Sequence, residues 1–184
     1  MAALELQGGE RLQKKLADIA RKLGARRTVR AGFLERATYP DGTSVAQVAA
    51  MQNFGTSTAP PRPFFTNVIK RQSPEWAVIL MQLLKNTDYD VDRAMDQMGA
   101  VMAGQIRQSI VDTNDPALSP ITLMLRKIKD ERGDPNGTTI TAATLGEAAK
   151  RVAAGEQGVS GTRAKALVDT AHMLNSVDHE VVSG

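Results

Sequence analysis

Between residues 44 and 65 the chain gives up most of its conformational freedom. Three of the four residues from Pro60 to Pro63 are proline, each fixing its own φ at about −65° and holding the residue before it extended. The span from Ala59 to Pro63 is therefore predicted to be a stiff, polyproline-like arm with little entropy left to lose. Arg62 rides on that arm with its guanidinium fork pre-aimed, and Phe64 and Phe65 follow as a bulky apolar anchor. Upstream, Ser44 and Gln47 have the spacing of a capping box, and Gly55 stands where a helix from Val45 to Phe54 needs a left-handed residue to stop. Two uses fit such a unit: an ordered loop that tucks two Phe into the core, or a rigid device that presents Arg62 and its neighbours to a partner.

The 184 residues, 42% of them hydrophobic, suffice for a single domain with a sizeable core. Aromatics make up only 4%, so that core has to be built of Leu, Ile, Val, Met and Ala. The absence of cysteine excludes disulfide staples and thiolate metal or nucleophile chemistry, and suits assembly in a reducing cytoplasm. Met1 to Gly9 lack a basic head followed by an apolar run, and no apolar window of about 18 residues could span a membrane. Residues 1–36 hold nine Lys and Arg against four Asp and Glu; as the whole chain is at +3, the remainder is at −2. The front end is thus the basic end, which fits a solvated helix face or a surface for nucleic acid or an acidic partner.

Apolar residues at Leu12, Leu16, Ile19 and Leu23 form one stripe of a helix from Glu10 to Leu23, with Gly24 as its stop. Arg11, Lys14, Lys15, Arg21 and Lys22 occupy the other faces, so the helix is expected to lie on something apolar and show a basic surface outward. Thr28 to Leu34 alternates with Val29, Ala31 and Phe33 on one side and reads as a strand, followed by the turn signal Tyr39-Pro40-Asp41-Gly42 and, up to Thr43, room for a short second strand. After the arm, Phe65 to Lys70 is predicted helical, and Pro74 either starts a new helix capped by Ser73 or kinks one long helix. Trp76, Ile79, Leu80, Leu83 and Leu84 give its apolar face. Asp88, Asp90 and Asp92 crowd the start of the next helix, where the macrodipole favours negative charge. That helix, reaching about Ile110 with Val91, Met95, Met98, Met102, Ile106 and Ile110 in register, is the longest element and the expected centre of the core. Met81, Met95, Met98 and Met102 are read as gap-filling core residues. Gly99 and Gly104 inside it imply close packing of another element or a neighbouring subunit.

Ser119 and Pro120 launch a short helix to Ile128. Residues 130–164 contain six glycines and almost no bulky apolar side chain, and are expected to form a flexible surface insertion with a brief helix from a Thr144/Glu147 capping box to Ala154. Leu167 to Leu174 leads into a turn of helix, and Ser176 to Val182 alternates as a terminal strand. That strand is a natural partner for Thr28 to Leu34 or for an edge in another subunit.

Constellations for catalysis are scarce. His172 and His179, with Asp169 and Asp178 nearby, fall across a helix-to-strand boundary rather than on one face. Asp88, Asp90 and Asp92 lack the Gly and Glu of a calcium loop. No Gly-rich phosphate loop or nucleophile elbow is present. The expectation is a protein that is not an enzyme, with no cofactor and no metal.

Asn53-Phe54-Gly55-Thr56 with Pro61-Arg62-Pro63-Phe64-Phe65 resembles the E-F-G-T … P-A-R-P-F signature of the tail-completion and virion-morphogenesis proteins of tailed bacteriophages. Two further blocks follow in the order the family has them. Leu118-Ser119-Pro120-Ile121-Thr122 with Arg126 and Lys127 is similar to L-S-P-x-T … R-K. The run from Lys165 to Val177 is similar to K-P-L-x-D-T-G-x-L-x-x-S-I, with Ala166 and Ala171 in the places of proline and glycine. The resemblance implies an α+β fold, a small mostly antiparallel sheet packed against several helices with one long central helix. It implies a single domain with its core at about 10–129 and 165–182. It also implies a structural virion protein at the head-tail junction, assembled in the host cytoplasm as a homo-oligomeric ring, taken as a hexamer, that completes or terminates the tail. Its partners would be copies of itself, neighbouring neck or connector proteins and tail-tube or sheath proteins, with DNA only as passing cargo and no membrane. The subunit-contact candidates are Asn53, Phe54, Gly55, Pro61, Arg62, Pro63, Phe64 and Phe65; Arg11, Lys14, Lys15, Arg21 and Lys22 form a basic face toward DNA or an acidic partner. The alternative is a basic nucleic-acid-binding module built on the first helix, although no aromatics interleave with its basic residues to stack on bases.

Overall fold

The computed structural model describes residues 9–24, 26–134, 140–168 and 171–183, and among these the fold is α+β, with seven α-helices and a two-stranded antiparallel sheet. Its centre is α4 (Val91–Asp112), which buries Ala94, Met98, Gly99, Ala103, Ile106 and Ile110 along one side. The sheet of β1 (Arg27–Phe33) and β2 (Val177–Ser183) lies on that side, in the register Val29↔Val181, Ala31↔His179 and Phe33↔Val177. The N- and C-terminal parts of the chain therefore close on each other across the central helix. Gly99 allows this approach: a Cβ there would overlap the His179 ring and meet a Val29 methyl at 2.9 Å. Gly104 has no such neighbour within 4 Å, so the close-packing expectation is met at one glycine only.

Along α4 runs α3 (Phe64–Asn86), one continuous helix with Pro74 inside it rather than two helices. Trp76 on α3 packs on the core and donates its indole N–H to Gln105 Oε1 at 2.8 Å. Met98 is buried, but Met81 is exposed, so not every methionine of this region fills the core. The predicted second strand near Thr43 shrinks to an isolated bridge between Thr38 and Ser44.

Each of the three aspartates at the start of α4 has a separate task. Asp90 caps the helix by accepting from Arg93 N–H at 3.1 Å. Asp92 pairs with Arg27 on β1, and Asp88 with Lys22 on α1 (Gly9–Leu23) at 2.9 Å. Those cations hold both carboxyls below the usual carboxylate range.

The first helix departs from expectation in one important respect. It forms one residue earlier than predicted and ends at Leu23 as predicted, but none of its residues is buried, and Leu12, Leu16 and Leu23 stand exposed. The apolar surface that its stripe should lie on is not supplied by the described residues of its own chain. Its attachment runs through Lys22, which donates to the Asp88 carboxylate and, at 2.8 Å, to the Asp88 carbonyl.

Residues 130–164 are more ordered than their composition implies. Thr141, not Thr144, caps α6 (Ala142–Ala153), with Thr144 returning the bond in a capping box. The start moves three residues because both threonines supply hydroxyls and the pair satisfies two backbone donors at once. Ala148 is fully buried against Met124 and Ile128 of α5 (Pro120–Glu131), so the segment folds back as a helical hairpin with a small core of its own. Ion pairs clamp its rim: Arg151 with Glu131 and Glu156, Lys127 with Glu156, and Arg132 with Glu147.

Candidate assembly site

The stiff unit takes shape from α2 (Val45–Phe54), capped by Ser44, which accepts from Gln47 N–H at 3.5 Å. Gly55 ends the helix at φ 78°, its N–H donating to Met51 O at 2.8 Å. A Cβ at Gly55 would lie 2.9 Å from Pro61 N, so glycine is required for conformation and for space. Rather than projecting, the proline arm doubles back along α2, and Arg62 N–H donates to Gln52 O at 2.7 Å.

Asn53 makes that return rigid. Its Oδ1 accepts from the N–H groups of Phe65 and Thr66 at 3.0 and 3.1 Å, and its Nδ2 donates to Thr66 Oγ1 at 2.8 Å. A buried side chain of α2 thereby satisfies orphan donors at the start of α3. Arg62 is only 7% exposed, and its Nε donates to the carbonyl of Pro116 at 3.0 Å. Phe64 is fully buried, edge-to-face with Phe33 and Phe65 at centroid distances of 6.3 and 6.4 Å.

The other quoted blocks gather in the same way. Ser119 caps α5 and accepts from Thr122 N–H at 3.1 Å. Buried Arg126 donates to the carbonyls of Arg163, Lys165 and Ala166 at 2.6, 2.8 and 3.2 Å. Lys165 Nζ reaches Val111 O at 2.6 Å, and Ala166 N–H donates to Asn114 Oδ1 at 3.1 Å. Ala171 adopts φ 58°, a left-handed conformation that costs an alanine energy and a glycine none. Asp169 and Thr170 lie outside the described residues. Of the candidate contact residues, Asn53, Arg62 and Phe64 are thus internal latches holding loops around one end of α4. Gly55, Pro63 and Phe65 are half-buried, and Pro61 and Phe54 are exposed.

Phe54 is the exception that carries chemistry of its own. It is 75% exposed, and with Gln47, Ala50 and Met51 it forms the outward i, i+3, i+4, i+7 stripe of α2. No residue of α2 is charged. The helix buries only its Val45, Ala49, Asn53 side, and leaves Met51 and Phe54 to solvent on the other.

On the basic helix, Arg11, Lys14 and Lys15 are exposed, while Arg21 binds Asp18 at 2.6 Å and Lys22 binds Asp88. The two histidines are held apart in different pairs. His172 Nε2 lies 2.9 Å from Thr38 O with its ring on Tyr39, and His179 Nε2 lies 3.1 Å from Asp96. Among the described residues no cluster of three or more His, Cys, Asp or Glu could hold a metal, and no helix is long and apolar enough to cross a membrane. A groove of about 1120 Å³ along the outer sheet face mixes Arg30, Arg36 and Arg107 with Glu35, Asp178 and Glu180. Comparison of the chain with family models, curated proteins and solved structures yields no match.

Proposed function

We propose that this chain is a structural virion protein of a tailed phage, acting at the head-tail junction as a homo-oligomeric ring that completes or terminates the tail. The resemblance of three ordered blocks supports the virion assignment. The observation that carries the self-assembling part is Phe54: the one large aromatic of the first block left outside the core sits 75% exposed on a charge-free helix face that no described residue covers. Aromatic side chains in such positions are the usual anchors of subunit contacts. A rigid subunit is the complement such a ring needs, and the buried Asn53, Arg62 and Arg126 supply that rigidity by tying loops that are remote in sequence.

Light scattering of the purified chain is expected to give a mass several times that of one subunit, and negative-stain images are expected to show closed rings. A monomer at micromolar concentration retires the reading. The exposed Arg11, Lys14 and Lys15 favour one rival, a nucleic-acid-binding module. Binding to DNA by a monomer, collapsing steeply with added salt, would mark that rival.

A further inference from the structure

Two helices share one anomaly, and it is solved by putting them together. α1 is a single amphipathic helix with no buried residue, and helices of its length owe most of their stability in water to a packed apolar face. Its stripe of Leu12, Leu16, Ile19 and Leu23 recurs at spacings of four, three and four, the seam that a facing helix covers. The tethering Lys22 and its partner Asp18 are turned about a quarter of a circle from that stripe, at 100° per residue. Holding α1 to the Asp88 turn therefore leaves the leucines pointing away from the contact. α2 presents the second anomaly, the uncovered stripe of Ala50, Met51 and Phe54.

We infer that the leucine stripe of α1 in one copy packs on the Ala50, Met51, Phe54 stripe of α2 in the next copy, a head-to-tail contact. This inference rests on the ring reading above and names the surfaces that build the ring. Charge selects the pairing. Two α1 helices laid antiparallel, seam to seam, would set the exposed Lys15 of each toward the same basic flank of the other. The exposed Val78 and Met81 on α3 sit among charges of both signs, Glu75 with Arg71 and Lys85, which a docked helix would have to desolvate. α2 carries no charge to oppose the Lys and Arg rim of α1, and the Phe54 ring offers that rim a cation–π partner. Because the two patches differ, the contact is heterologous and closes into a ring or continues as a filament.

The chain has no cysteine, so its contacts can be read by engineered disulfides. A full-length chain carrying both Leu16→Cys and Phe54→Cys is expected, on mild oxidation, to give a ladder of covalent oligomers. The L16C and F54C single variants are expected to stay uncrosslinked. A ladder from the double variant alone supports the contact. Dimers from L16C alone would establish an α1–α1 pair and overturn it. Wild-type rings by light scattering with no ladder from the double variant would also overturn it while leaving the ring reading intact. A monomeric wild type would sink both. As a second arm, Leu16→Glu and Phe54→Glu, both at exposed positions, are expected to give folded monomers by circular dichroism that combine into 1:1 dimers when mixed. No association on mixing counts against the contact.

Discussion

At the scale of single residues, the decisive positions are those where a side chain has no room or a backbone no comfort. Gly99 lets α4 lie against the sheet, and its Cβ would strike the His179 ring and Val29, neither of which is a flexible chain end. Gly99→Ala is expected to lower stability by about 1–3 kcal/mol through overpacking. Gly104→Ala, with open space around it, is expected to raise it by up to about 1 kcal/mol through helix propensity. Urea midpoints of the two variants check the opposed signs. Ala171 at φ 58° gives the reverse case. Left-handed backbone costs an L-residue roughly 1–2 kcal/mol, part of which glycine returns as unfolded-chain entropy. Ala171→Gly is therefore expected to stabilise by about 0.5–1 kcal/mol, and an unchanged or lower midpoint would show the strain to be relieved elsewhere. The residue alone told part of this beforehand. Glycine inside a helix signals a close approach, but only the packing reveals that Gly99 has a neighbour and Gly104 does not.

At the scale of elements, what periodicity encodes was readable and what distance encodes was not. The stripe of α4, the alternation of β1 and β2, the Gly55 stop and the Ser119 cap each follow from local spacing. The work of Asn53, Arg62 and Arg126 spans 12 to 54 positions in sequence, and no local pattern predicts which carbonyl a buried guanidinium will find. Residues 130–164 show the same limit. Their glycines suggested a loose excursion, yet α6 needs only Ala148 to seat on α5, and arginines fasten the rest. Within that clamp Arg151 and then Lys127 hold the Glu156 carboxyl down at about 2, against an ordinary value of 4.5. A carboxyl depressed by folding contributes stability that is complete above its unfolded value and lost as pH falls through its folded one. The hairpin contacts are accordingly expected to persist down to about pH 4.5 and to loosen between there and about pH 2. Hydrogen exchange along α6 measures this. Glu156→Gln should remove the acid-dependent step, and the same step persisting in that variant would assign it to Glu131, whose carboxyl Arg151 also holds down.

At the scale of the whole molecule, folding and assembly divide the apolar residues between them. The interior is closed by α4, α3 and the sheet, so α1 contributes little to the subunit core, and on the proposed contact a neighbour would cover it. A chain lacking residues 1–24 is expected to fold with nearly unchanged stability at low concentration, losing among the described contacts chiefly the Lys22 bonds to the Asp88 carboxylate and carbonyl, exposed contacts of a kind that is worth little. The intact chain should behave differently, because association binds the native form alone. At a subunit concentration about 100 times the dissociation constant the native state gains about 2.7 kcal/mol, and for a domain of this size each kcal/mol moves Tm by about 2–4 °C. The intact protein is thus expected to melt about 5–10 °C higher at high concentration than at low, while the shortened chain melts at one temperature throughout. Scanning calorimetry over a concentration series decides it. A Tm that rises equally for both chains would move the subunit contact away from the first helix. A Tm that rises for neither would show a chain that does not associate and would remove the subunit contact altogether.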